Sequence, residues 1–218
     1  MGAEVGISHL AGCVPAVTLV GYGRTNTFLV RGEAGHLLVD TDYAGTLPAF
    51  FRAIKGVGVT VGDIACVIAT HYHPDHCGII GDLQRLGVRL LLMESQVGLC
   101  HAADRIFRRE GRRFTPVDDA AATVLGFEGS GEVLSDMGIA AEVIPTPSHS
   151  ADSVSVVVAT GAALVGDLVC QSHLFAYGPG SPEALDWERI RARAPRVVCH
   201  AHGPAFRPLE GSHPACRA

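Results

Sequence analysis

The sequence has no motif that would rest its chemistry on a side-chain nucleophile or a bound nucleotide. It contains no G-x-S-x-G elbow, no G-x-x-x-x-G-K-[ST] loop and no G-x-G-x-x-G fingerprint. Its cysteines (Cys13, Cys66, Cys77, Cys100, Cys170, Cys199, Cys216) are odd in number and include no C-x-x-C pair, so a disulfide framework is not expected and a reducing cytoplasm is. No apolar run approaches the length of a membrane span. Leu10-Ala11-Gly12-Cys13 has the form of a lipoprotein box, but the first basic residue is Arg24 and Glu4 and His9 interrupt the stretch before it. Met1-Gly2 lacks the Ser or Thr that myristoylation needs, Gly6 standing there instead. Basic residues are also scarce: 17 Lys and Arg face 22 Asp and Glu, a net charge of −5. That balance gives no general attraction to nucleic acid or to an anionic membrane.

What is present is a chain of 218 residues, 48% apolar, enough for one domain with a substantial core over 1–218. Ala16–Val20, Thr25–Val30 and Leu37–Asp40 read as strands joined by tight turns. Leu47–Ile54 has helical spacing, and Ile64–Thr70 reads as a buried strand. Pro74 suits the first turn of a helix, predicted over Asp75–Leu86, with a strand at Val88–Met93 after it. Later strands are expected at Ala141–Ile144, Val154–Ala159, Ala162–Val165 and Val197–Cys199, and a helix at Pro182–Arg193. Interleaved helices with partly antiparallel strands indicate a layered α/β sandwich.

The run His71-Tyr72-His73-Pro74-Asp75-His76 falls between the buried strand and the next helix. Its four fixed positions, H-x-H-x-D-H, arise by chance on the order of once in a thousand such chains. Imidazoles and a carboxylate on a turn can converge on zinc or a similar divalent ion. Three more candidates follow apolar runs: His149 in Thr146-Pro147-Ser148-His149-Ser150, Asp167 after Leu164-Val165-Gly166, and His202 before Gly203-Pro204. Polar ligand types at strand ends are how a sheet presents a site at its rim. His200 competes with His202, which has the better position beside Gly203-Pro204.

In order and spacing the chain resembles the metallo-β-lactamase superfamily, carried by Asp40-Thr41-Asp42, His71 to His76, Ser148-His149-Ser150, Gly166-Asp167 and Ala201-His202-Gly203. The resemblance implies a four-layer αββα sandwich. It also implies one metal on His71, His73 and His149, a second on Asp75, His76 and His202, Asp167 bridging both, and Asp40 supporting a ligand from behind. Ser148 and Ala201 replace glycines usual in the family, so each adds a Cβ beside a ligand loop.

Two divalent ions can share a water and leave it as hydroxide, here oriented by Asp75 and aimed at an ester-like bond. Zinc is the first expectation; iron and manganese take the same donors. The resemblance places glutamate at the His73 position in its di-iron branch, and cysteine in the second metal site of most true β-lactamases. The set here therefore favours a two-metal hydrolase of a small metabolite such as a thioester, lactone or phosphodiester. A mononuclear-iron sulfur oxygenase on the same fold and a non-catalytic metal-binding protein are the alternatives. Only 16 residues follow His202 and 34 separate it from Asp167, so neither the helical carboxy-terminal domain of hydroxyacylglutathione hydrolases nor the inserted domain of the large RNA-processing nucleases is expected.

Residues 77–148 are expected to contain the substrate cover, and within them Arg105, Arg108, Arg109, Arg112 and Arg113 form a basic run that could grip an anionic substrate or simply face solvent. Tyr22, Tyr72, His173 and Tyr177 are candidates for the pocket mouth.

Overall fold

A computed structural model describes residues 16–208. Cys13, Cys216, the 10–13 box and the residues bearing on myristoylation lie outside the described residues.

Strands β1 (Val17–Val20), β2 (Thr27–Val30), β3 (His36–Val39), β4 (Ile64–Ile68), β5 (Arg89–Met93) and β6 (Thr123–Leu125) form one sheet in chain order. The first three pair antiparallel and the rest parallel. The second sheet has the order β11 (Phe206–Pro208), β10 (Val197–His200), β9 (Ala162–Gly166), β8 (Val154–Val158), β7 (Ala141–Pro145). The helices are α1 (Leu47–Gly56), α2 (Pro74–Cys77), α3 (Ile80–Arg85), α4 (Asp104–Arg109), α5 (Ser130–Asp136) and α6 (Pro182–Arg191).

Alternation along the strands builds the layers, because successive side chains point to opposite faces. Phe28, Val30, Leu37, Val39, Cys66 and Ile68 meet Val154, Val156, Val158, Leu164, Val197 and Cys199 between the two sheets. The intervening Leu29, Leu38, Val67 and Leu90 point the other way, onto Phe50 and Ile54 of α1 and Ile80 and Leu83 of α3. On the far side Val157, Ala163, Val165 and Val198 pack against Trp187 and Ile190 of α6. Three apolar layers thus separate four structural ones, the αββα order expected.

The helix predicted over Asp75–Leu86 is broken in two. At Gly78 the chain runs against the backbone of 42–44: its N–H donates to the Asp42 carbonyl at 3.0 Å, and a Cβ there would lie 2.2 Å from the Ala44 nitrogen. That close approach pulls the chain out of helical hydrogen bonding after one turn. Within 77–148, β5, β6 and β7 belong to the sheets and Leu134 of α5 enters the core between them, so much of this segment is framework rather than cover.

Candidate metal centre

The site lies where four strands end. His71 and His73 occupy the turn after β4, and Asp75 and His76 the single turn of α2, which begins at Pro74 with its preset φ. His149 follows β7, Asp167 follows β9 and His202 follows β10. All seven predicted residues are brought together, in two overlapping sets.

In the first set His73 Nδ1 is 3.0 Å from His71 Nε2 and 3.1 Å from His149 Nε2. Asp167 Oδ2 faces them, 4.0 Å from His71 Nε2 and 3.8 Å from His149 Nε2. In the second, His202 Nε2 lies 3.1 Å from Asp75 Oδ2, and His76 Nε2 lies 3.8 Å from the same oxygen. Asp167 Oδ1 faces this set, 3.5 Å from His76 Nε2 and 3.4 Å from His202 Nε2. His200 lines the adjoining cavity but joins neither set; its ring stacks at a tilt 6.4 Å from Trp187.

Two buried atoms in this cluster, His76 Nε2 and Asp167 Oδ1, make no hydrogen bond. An orphaned buried acceptor or donor costs about 1–3 kcal/mol, so its presence calls for an explanation. Both atoms point into the second set, and a divalent ion among these nitrogen and oxygen donors would satisfy them. The residues present therefore fit a metal.

Electrostatics agree with a neutral-imidazole, ionised-carboxylate arrangement around His71. Burial, then the neighbouring imidazoles, push its pKa down to about 2. Burial and His73 likewise lower His149, against the pull of Asp167. Burial also works against charge on His76, but Asp40 and Asp167 outweigh it and raise this imidazole to about 10. For Asp167, burial opposes ionisation and is overcome by His76, His202 and His71, which hold its carboxyl well below the usual range.

The support behind the ligands is largely polar and buried. Asp40, at a left-handed φ of 61°, accepts from the Thr70 N–H at 2.6 Å and contacts His76 Nδ1 at 3.1 Å, leaving Nε2 to face the site. Thr70 Oγ1 in turn touches His71 Nδ1 at 3.2 Å. The Tyr72 and Ser148 N–H groups donate to Asp152 and Asp186, both at 2.7 Å, tying the His71–His73 turn and the His149 loop in place. Asn26 Nδ2 donates to the His200 carbonyl at 2.9 Å and the Gly203 carbonyl at 3.2 Å, holding the His202 loop. Asp42 accepts from the Arg24 and Tyr43 N–H groups. Asp152, Asp186 and Asn26 were invisible to motif reading, being single polar residues without a spacing signature.

Ser148 and Ala201 do not disturb the loops: neither has a positive φ, and the Ala201 N–H still donates to the Gly166 carbonyl at 3.0 Å. Gly166 is the demanding position. Its φ is 55°, and a Cβ there would lie 2.4 Å from Thr70 Oγ1. Gly166→Ala is expected to lose about 1–2 kcal/mol for the backbone alone. It would also weaken metal binding by displacing Thr70, both measurable by urea unfolding and metal titration.

Other expectations need correction. Tyr72 is not at a pocket mouth: it is 1% exposed and buried in the apolar layer beneath the first sheet. The cavity beside the site, about 250 Å³, is lined by His149, Gly166, Asp167, Leu168, Cys170, His200 and His202, with Tyr22, His173 and Tyr177 absent from its wall. Tyr22 instead accepts a hydrogen bond from the Asp42 N–H and packs edge-on against Phe50. Of the basic run, Arg108 pairs with Asp104, while Arg112 pairs with Glu110 and lies over the Tyr43 ring at 5.1 Å. Arg105, Arg109 and Arg113 are exposed.

The model of the metallo-beta-lactamase superfamily matches residues 20–202, the span that holds β2 to β10 and all seven site residues. The chain belongs to the metallo-beta-lactamase superfamily. Among curated proteins it is 32% identical over 206 residues to metallo-beta-lactamase domain-containing protein 1 of Homo sapiens, covering 89% of this chain and 68% of that one. A 74-residue stretch is 31% identical to a putative diflavin flavoprotein of Nostoc, covering only 12% of it. The fold is shared with a beta-lactamase from Chitinophaga pinensis (TM-score 0.66, 19% identity, 92% of this chain and 83% of that one). It is shared too with the metallo-beta-lactamase MIM-1 of Novosphingobium pentaromativorans (TM-score 0.64, 23% identity, 86% and 73%). Members of the superfamily are typically metal-dependent hydrolases. Among the described residues no helix is long and apolar enough to cross a membrane.

Proposed function

We propose that this chain is a two-metal hydrolase acting on an ester-like bond (a thioester, lactone or phosphodiester) of a small metabolite. The observation that carries the reading is Asp167, which turns one carboxylate oxygen to each of two donor sets. His71, His73 and His149 would hold one ion, Asp75, His76 and His202 the other, with Asp167 shared; zinc suits these donors best. Ions bound there would lower the pKa of a water toward neutrality and polarise the oxygen of the bond under attack.

The chain's own residues supply the rest. Asp75 is the more open of the two carboxylates, 35% exposed against 19% for Asp167, so it can accept a hydrogen bond from an incoming water and orient it. Asp40 and Thr70 keep His76 and His71 aimed inward, so the donors need little rearrangement during turnover. A cavity of about 250 Å³ admits the reacting end of a substrate and leaves the remainder outside. Tyr43 donates to Glu110 at 2.9 Å, and Arg112 lies over its ring at 5.1 Å.

Metal-replete protein is expected to hold two ions in this centre and to cleave at least one member of a thioester, lactone and phosphodiester panel. Chelation should abolish that turnover and added zinc restore it. One ion or fewer in this centre, together with activity that survives His71→Ala, would refute the reading.

A further inference from the structure

A second group of metal-donor side chains lies apart from the seven residues above. The chain leaves β5 through a turn that brings Cys100 beneath the first sheet, its side chain 1% exposed in the apolar layer that also holds Tyr72, Cys77 and Phe107. His101 follows at the surface, and Asp104 opens α4. Asp119 arrives from the loop before β6. One donor atom from each of Cys100, His101 and Asp119 lies within 4.8 Å of the others. His101 Nε2 is 3.5 Å from Asp119 Oδ1, a separation two ligands of one tetrahedral ion would have. His101 Nδ1 is 3.4 Å from Asp104 Oδ2, and Asp104 is largely buried and steadied by Arg108. A carboxylate behind one imidazole nitrogen fixes the tautomer and leaves the other nitrogen free to bind, the arrangement found behind most metal-ligating histidines.

We propose that Cys100, His101 and Asp119 form a separate binding site for a thiophilic divalent cation, zinc above all, with Asp104 orienting His101. A thiolate, an imidazole and a carboxylate make a borderline-soft donor set that prefers zinc to magnesium or calcium. Three protein donors leave one tetrahedral position to water. The site shares no residue with the proposed catalytic centre. Its effect would be mechanical, joining residues 100–101 to 119 and closing the loop that carries Glu110 and Arg112 toward Tyr43.

The test is cobalt(II) added to the full metal-free chain, read by the near-ultraviolet thiolate-to-cobalt charge-transfer band, with zinc content measured in parallel. The wild type and Asp167→Asn should both show the band, which separates this site from the catalytic reading. Cys100→Ser, His101→Ala and Asp119→Asn should each lose it and hold one zinc fewer per chain than the wild type. The last two change surface residues, so a folded circular dichroism spectrum is expected and loss of the band then reports on binding alone. No band in the wild type would overturn the proposal. So would a band that survives His101→Ala but disappears in Cys170→Ser, because the thiolate would then belong to the cavity beside Asp167. Unchanged zinc content in folded His101→Ala would equally reduce the cluster to a histidine paired with two aspartates.

Discussion

Replacing Asp167 with asparagine is expected to leave at most one ion in the seven-residue centre and to lower hydrolysis by more than about a hundredfold, beyond the loss typical of groups that only support a ligand. The reason is geometric as much as electrostatic. Asp167 Oδ2 faces His71 and His149 while Oδ1 faces His76 and His202, so each set draws one oxygen and half the charge. Asparagine keeps the shape but removes the charge and turns an NH₂ toward one set, where it repels a cation. Elemental analysis of the purified variant and steady-state rates on whichever substrate the wild type cleaves provide the check. A metal content equal to that of the wild type, with wild-type turnover, would show that Asp167 is not shared.

Asp40→Asn is expected to destabilise the metal-free protein by about 3–5 kcal/mol, the usual cost of breaking a buried ion pair by removing one partner. Metal affinity should fall about tenfold to a hundredfold. Asp40 and His76 are both almost wholly buried and 3.1 Å apart, and the same carboxylate accepts from the Thr70 N–H and hydroxyl. An amide offers one acceptor oxygen where the carboxylate offers two, so one of these donors is left facing an NH₂ group. Asparagine is the informative replacement because it tolerates the left-handed φ of 61° that Asp40 adopts, and the loss then reads the interaction rather than backbone strain. Urea unfolding without metal and competitive metal titration measure the two effects separately. A variant matching the wild type in both would show that His76 and Thr70 are positioned by other groups.

The strands were legible because their side chains alternate cleanly between two apolar layers, as at Leu37, Leu38 and Val39. The candidate ligands were legible because H-x-H-x-D-H is dense and the later three close apolar runs. Legibility failed where a contact distant in sequence decides the outcome. Nothing local to Asp75–Leu86 announces that Gly78 will lie against residues 42–44 and break the helix. β6 and β11 are three-residue edge strands, too short to show a period. The buried anchors Asp152 and Asp186 carry no local signal either, since each acts on a backbone N–H of a residue 80 or 38 positions away. Tyr72 stands between two candidate ligands yet turns inward to the core, because neighbours in an extended turn face opposite sides.

The two sheets are stitched at the end that carries the site: the Val154 N–H donates to the Thr70 carbonyl at 2.8 Å, and Asp152 accepts from the Tyr72 N–H. This stitch has a consequence for the order in which the chain acquires its structure. His71 to His76 can come together as soon as one short turn forms, but His149, Asp167 and His202 arrive only when the second sheet closes on the first. A half-assembled chain therefore has four of the seven candidate donors and would grip metal weakly, whereas the closed one has all seven. Ions in the medium would accordingly favour the last step of folding over the earlier ones, adding stability that grows with the logarithm of their concentration. The amides of Tyr72 and Val154 should then be among those whose hydrogen exchange slows most when metal is added.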